Sequence, residues 1–222
     1  NLIAEAKKRD IYLMFDMVFN HTSTEHQWFK EALNGNQKYK NYYFFKKGKG
    51  DRLPTNWDSK FGGKAWKYVP EFDEYYLYDE GQADLNWENE EVRNELIKII
   101  NFWLKKGIRG FRFDVINNID KRAFEDCPKG IGKQFYCDQP KVHDYLHELN
   151  KHSFGKIKEC ITVGEMSATS VENCIGYTNP DNQELDMVFS FHHLKVDYFN
   201  KEKWTIMPFD FQELKELLNT WQ

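Results

Sequence analysis

The 222-residue chain has no apolar run of membrane-spanning length, and its first ten residues, NLIAEAKKRD, read as an amphipathic helix end rather than a signal peptide. No membrane partner is expected. A basic surplus is also missing. Lys and Arg number 31 against 35 Asp and Glu, a formal net charge of −4, so there is no positive field of the kind a nucleic-acid partner needs. Cysteine is scarce: Cys127, Cys137, Cys160 and Cys174 include no C-x-x-C pair. Cys160 opens a strand-like apolar run where a reduced, buried thiol is the default, which favours the cytoplasm. What remains is 41% hydrophobic and 17% aromatic, enough for one sizeable core and rich in rings.

Strand-like runs alternate with helical ones. IYLMFDMVF (Ile11 to Phe19), IRGFRFDVI (Ile108 to Ile116), CITVGEM (Cys160 to Met166) and LDMVFSF (Leu185 to Phe191) read as strands. Their near-continuous hydrophobicity predicts burial on both faces, as in a parallel sheet wrapped by helices. The clearest helix begins at a capping Asn89, carries Val92, Leu96, Ile99, Ile100, Trp103 and Leu104 on one face, and stops at Gly107. A second runs roughly from Pro140 to Phe154, and a last one lies in FDFQELKELLNTWQ. Repeated strand–helix units imply an α/β fold with a parallel sheet, open or closed. Residues 22–87 break the alternation with clustered Tyr, Trp, Phe, Gly and Lys and no helical period. They read as a small irregular subdomain inserted between a first part at 1–21 and a continuation at 88–222, with an aromatic mini-core capped by solvated lysines.

In GFRFDV, Arg112 and Asp114 place two charges in an apolar strand, as either a structural ion pair at a strand end or part of a site. Asp16, Glu165 and the Ser190 to His193 group also fall at or just past the C-terminal ends of their strands. In a parallel array these ends open on one face, where α/β enzymes build their sites. Two opposed carboxylates suit acid–base or nucleophilic chemistry, and glycoside hydrolysis needs such a pair. A metal-binding barrel is the alternative, ranked second because the first strand has no H-x-H.

DMVFNH (Asp16 to His21), GFRFDV and VGEM (Val163 to Met166) resemble, in this order and spacing, three conserved regions of the α-amylase superfamily of glycoside hydrolases. QADLNW (Gln82 to Trp87) resembles the motif that marks the branch containing the oligo-1,6-glucosidases. DMVFNHTSTEHQWF, QADLNWENEEVR and YTNPDNQELDMVFSFHHLKVD are similar to members of that branch that hydrolyse trehalose 6-phosphate. The resemblance implies about strands 3 to 6 of a (β/α)8 TIM barrel, and hence a fragment. It implies a retaining hydrolase in which Asp114 is the nucleophile and Glu165 the general acid and later base, with Arg112 orienting Asp114. His21 would hydrogen-bond the sugar where cleavage occurs, Gln82 would lie at the rim, and Asp16 and Asn20 would brace the site.

The implied substrate is a small sugar phosphate. Neutral α-glucosides are the alternative, and a catalytically silent binding subunit is a reading from another class. A dianionic phosphate needs cations, and FHHLKVDYFNKEKW supplies His192, Lys195 and Lys203 as candidates, with Lys201 read as surface. No cofactor and no metal are expected, because the branch resembles a design in which a lysine after the nucleophile strand replaces the ion. Lys121, seven residues past Asp114, falls there. The superfamily's third catalytic carboxylate, in an N-H-D motif, has no counterpart in the chain. These residues alone are therefore expected to be inactive, with exposed sheet edges and poor solubility. The sequence sets no oligomeric state.

Overall fold

Short apolar stretches alternate with amphipathic ones, and most become the element their period dictates. The computed structural model describes residues 2–79, 81–128, 130–201 and 205–221. The chain opens with α1 (Leu2–Lys7) and β1 (Met14–Met17). Next come β2 (His21–Ser23), α2 (Gln27–Leu33), α3 (Gln37–Lys40), β3 (Phe45–Lys46), β4 (Trp66–Val69), β5 (Glu74–Asp79) and β6 (Gln82–Asp84). Strand and helix then alternate through α4 (Glu90–Lys106), β7 (Gly110–Phe113), α5 (Lys141–His152), β8 (Ile161–Glu165), α6 (Val171–Thr178), β9 (Met187–Phe189) and α7 (Phe211–Thr220).

Helix α4 shows how local sequence sets an element. The Asn89 side chain accepts from the Glu91 N–H, Glu90 and Glu91 sit at the positive end of the helix dipole, and Lys105 and Lys106 sit at the negative end. Gly107 ends the helix at φ 102°, a left-handed conformation that costs glycine nothing. Val92, Leu96, Ile100 and Leu104 face inward. In α5 the inward set is Val142, Tyr145, Leu146 and Leu149.

The four strands read from the sequence form one parallel sheet in the order β1-β7-β8-β9, each shorter than its apolar run. Neighbours in space are neighbours among the repeated units, the arrangement of consecutive strands in a (β/α)8 barrel. The expectation of burial on both faces holds for one face only. Phe111 and Phe113 are fully buried against the helices, whereas Met14, Ile161 and Met187 on the opposite face are 45%, 48% and 47% exposed. Four strands cannot close a barrel around their inner side chains, so that face stands open along the described residues.

Residues 22–87 are more regular than their sequence implies. Strands β2, β6, β5 and β3 form an antiparallel sheet, with β4 paired to β5; Phe29 of α2 packs on Phe45 and Tyr76 of this sheet, and Lys40 of α3 pairs with Glu74. Strands this short, mixing rings with lysines, show no period of two, so the pairing was hidden. The rings do form cores. Tyr42, Tyr43 and Phe29 join the main core, while Phe44, Trp57, Trp66 and Leu77 build a second one with Cys127 and Tyr136 from the segment after β7. Trp57 Nε1 donates to the Glu125 carbonyl at 2.8 Å, and Lys46 caps the Phe124 ring at 4.3 Å. Helix α6 was also missed: only Cys174 and Tyr177 of its eight residues are buried, too few to give a pattern. Ser170 caps it by accepting from the Asn173 N–H.

Candidate active site

The ends of β1, β7 and β8 bring three carboxylates onto one guanidinium. Parallel pairing sets Asp16 opposite Arg112, and alternation points both toward the open face. Arg112 Nη1 lies 2.6 Å from Asp16 Oδ1 and 2.8 Å from Asp114 Oδ1, and Nη2 contacts Glu165 Oε2. Burial works against the charge on Arg112, but its bonds to Asp16 and the nearby Asp114 outweigh this and raise its pKa above the ordinary value.

Asp114 stands one residue past β7, with its N–H donating to the Met17 carbonyl at 3.1 Å. Val115 follows at φ 37° and ψ 42°, a left-handed conformation that a β-branched residue rarely adopts. Backbone strain of this kind is held in place by the buried Ile116 and Asn117 that follow, and it falls directly beside the carboxylate.

A second network lies behind this centre. Lys121 is almost wholly buried, and its Nζ donates to Asn20 Oδ1 at 2.8 Å and the Asn118 carbonyl at 2.6 Å, with Asp84 Oδ2 at 3.2 Å. Burial lowers the Lys121 pKa, and Asp84 partly restores it. The ammonium fixes the Asn20 amide, since its oxygen must face Lys121. Asn20 Nδ2 is thereby turned toward Asp84 Oδ1 at 3.3 Å and His21 Nδ1 at 3.1 Å. Accepting at Nδ1, a neutral His21 carries its proton on Nε2. Two further bonds join the DMVFNH and QADLNW segments: Leu85 N–H to the Asn20 carbonyl at 2.9 Å, and Trp87 Nε1 to the Phe19 carbonyl at 2.8 Å.

Both networks open into one cavity of about 290 Å³. Asp114, Glu165, His21, Asn20, Gln82 and Lys121 line it, and Trp57, Lys60, Phe61, Leu77 and Tyr136 supply its opposite wall from the inserted region and the segment after β7. The structure therefore gathers most of the residues picked from sequence, with Asp16 and Arg112 bracing from the strand side.

The phosphate candidates are not gathered there. His192 Nδ1 lies 3.1 Å from Ser190 Oγ and its ring packs on Trp221, while Lys195 is half-buried; neither lines the cavity. Burial first, then the neighbouring Lys195 and His193, lower the His192 pKa; burial first, then Lys133, lower that of Lys195. Lys203 lies outside the described residues. Among the polar cavity residues, Asp58, Lys60, Asp84 and Asn118 escaped the sequence reading. Asp84 had a usable signal, because strand alternation puts it on the same face as Gln82. Cys160 is partly exposed rather than buried, and the four thiols are free.

A family model, the catalytic domain of alpha-amylase, matches residues 1–222. The chain belongs to the alpha-amylase family. It is 54% identical over its whole length to trehalose-6-phosphate hydrolase of Bacillus subtilis (strain 168) and covers 40% of that protein. It is 40% identical to an oligo-1,6-glucosidase of Parageobacillus thermoglucosidasius and covers 41% of it. The crystal structure of Bacillus licheniformis trehalose-6-phosphate hydrolase superposes with a TM-score of 0.93 at 53% identity, covering 100% of this chain and 40% of that one. The chain thus spans about two fifths of the relatives it matches, and its parallel sheet is part of the family's (β/α)8 barrel. Among the described residues no helix is long and apolar enough to cross a membrane, and no three His, Cys, Asp or Glu side chains cluster as metal ligands.

Proposed function

We propose that the protein carrying these residues is a retaining glycoside hydrolase that cleaves trehalose 6-phosphate to glucose and glucose 6-phosphate in the cytoplasm. Residues 22–87 form its inserted subdomain, and 1–21 and 88–222 belong to its catalytic barrel. The observation that carries the chemistry is the pair Asp114 and Glu165, on neighbouring strand ends, lining one cavity and sharing Arg112. Carboxylates bridged by a single guanidinium fit the short separation of retaining enzymes, about 5–5.5 Å, better than the wider gap of inverting ones.

Asp114 attacks the anomeric carbon while Glu165 gives its proton to the leaving oxygen, and the first sugar departs; Glu165 then takes a proton from a water that attacks the same carbon, which breaks its bond to Asp114 and releases the second sugar. His21 donates from Nε2 to the sugar at the cleavage point. The substrate assignment rests on the 54% identity to a trehalose-6-phosphate hydrolase, whose margin over the 40% oligo-1,6-glucosidase favours the phosphorylated sugar. A neutral α-glucosidase is the second reading, favoured by that same glucosidase. A silent binding subunit is disfavoured because Asp114, Glu165 and Arg112 are all present and in contact.

The test uses the full-length protein, with trehalose 6-phosphate, trehalose and isomaltose compared at equal enzyme. Faster turnover of trehalose 6-phosphate, with loss of roughly 10⁴-fold or more in Asp114→Asn, is expected. Isomaltose as the preferred substrate would overturn the substrate assignment, and substantial turnover by Asp114→Asn the nucleophile.

A further inference from the structure

The pairing of β7 with β8 runs to Phe113 and Gly164, one residue short of Asp114 and Glu165. Beyond that point a side chain ties the two segments. Asn117 is fully buried in the short helical turn Ile116–Asn118 and presents its amide to the backbone of Ser167. Its Oδ1 accepts from the Ser167 N–H at 2.9 Å, and its Nδ2 donates to the Ser167 carbonyl at 2.8 Å. The other Nδ2 hydrogen goes to Asp138 Oδ1 at 3.0 Å. A reversed amide would set its oxygen against both the Asp138 carboxylate and the Ser167 carbonyl, so one orientation is dictated. Asp138 is fixed in turn: its N–H donates to the Asn117 carbonyl, and its carboxylate accepts from the Tyr177 hydroxyl and Asn173 Nδ2 of α6, all three at 2.9 Å.

Glu165 thus lies between two holds. On one side it pairs with Phe189 of β9, whose carbonyl accepts from the Met166 N–H at 2.9 Å. On the other, two residues further on, Asn117 grips both the N–H and the carbonyl of Ser167, which fixes the orientation of that residue as well as its place. We propose that Asn117 is a positioning residue that aligns Glu165, as proton donor, against Asp114; this rests on the function proposed above. Asn117 itself does not line the cavity, so it acts through Ser167 and the β8 end. Asp114 has its own holds, the Met17 carbonyl on its N–H and Arg112 on its carboxylate. Loss of the Asn117 amide therefore displaces the acid more than the nucleophile. Proton transfer tolerates little displacement: a misplacement of about 1 Å costs about 100-fold in rate.

The experiment measures kcat and KM of the full-length protein on two substrates. The leaving oxygen of trehalose 6-phosphate needs the Glu165 proton, whereas the nitrophenolate of p-nitrophenyl α-glucoside leaves without one. Asn117→Ala is expected to lower kcat/KM about 100-fold on trehalose 6-phosphate, through kcat with KM little changed, and less than about 10-fold on the aryl glucoside. Glu165→Gln should show the same contrast more strongly. Asn117→Asp sets a carboxylate against Asp138 and the Ser167 carbonyl and should lose as much as Asn117→Ala. The double variant Asn117→Asp/Asp138→Asn exchanges amide and carboxylate and keeps an acceptor for the Ser167 N–H, so it should recover about 10-fold of that loss. Equal loss on both substrates, a raised KM at unchanged kcat, or wild-type kinetics in Asn117→Ala would overturn the assignment. Should the single variants not fold, the double variant decides: its smaller loss must fall on trehalose 6-phosphate, and a loss shared by both substrates would overturn the assignment too. None of these results touches the hydrolase reading, which substantial turnover of trehalose 6-phosphate by Glu165→Gln would instead remove.

Discussion

Replacing Lys121 with methionine removes an ammonium from a place nearly sealed from water. The Lys121 side chain is 2% exposed and that of its partner Asp84 is 16%. Methionine fills most of the same volume, so packing is largely kept and the loss is electrostatic. Asp84 is left without its cation, and Asn20 Oδ1 and the Asn118 carbonyl are left without a donor. Removing one partner of a buried pair costs about 3–5 kcal/mol, because the remaining charge is stranded. Asp84 keeps the Asn20 amide at 3.3 Å, which places the expected loss near the lower end, about 3 kcal/mol. Urea unfolding of the full-length protein, followed by tryptophan fluorescence, measures it. The double variant Lys121→Met/Asp84→Asn removes the stranded charge and should recover at least about 1 kcal/mol. A loss below about 1 kcal/mol in the single variant, typical of exposed pairs, would refute the reasoning. So would a double variant whose loss is the sum of the two singles.

Two other perturbations test other parts of the fold. His143 on α5 stacks on Tyr177 of α6 at 4.7 Å, and its Nδ1 is 2.9 Å from Glu184 Oε2; this hydrogen bond raises its pKa above 6.5 against the effect of burial. A raised folded-state pKa adds stability that is complete below the unfolded value and disappears as pH rises through the folded one. His143→Gln should therefore lower the unfolding midpoint more at pH 5.5 than at pH 9, and an equal loss at both would contradict the linkage. Gly132 sits at φ +72°, and a Cβ there would come within 2.5 Å of the buried Trp57 ring on the cavity wall. Gly132→Ala should cost about 2–4 kcal/mol through overpacking and a left-handed alanine together, and an unchanged urea midpoint would disprove it.

The parallel strands and the helices around them were legible because each is specified locally. Asn89 and Gly107 bracket α4, and Arg112 and Asp114 stand out as charges in an apolar strand. The antiparallel sheet of 22–87 was not legible, since Phe45–Lys46 and Gln82–Asp84 are too short to show alternation and owe their place to partners far along the chain. Lys60 was hidden for the same reason: nothing near it in sequence points to Ser167.

The residue types and their order singled out the candidate site by themselves: an arginine and a carboxylate at the end of one strand, and another carboxylate at the end of the next. Side chains at successive ends of a parallel sheet must share one face, so convergence follows from the pattern. Where each lysine ends up was decided only by tertiary structure. Lysines are common on loops and surfaces, and their function depends on contacts between distant segments. Folding buried Lys121 against Asn20 and Asp84, kept Lys195 off the cavity wall, and placed Lys60 beside Ser167.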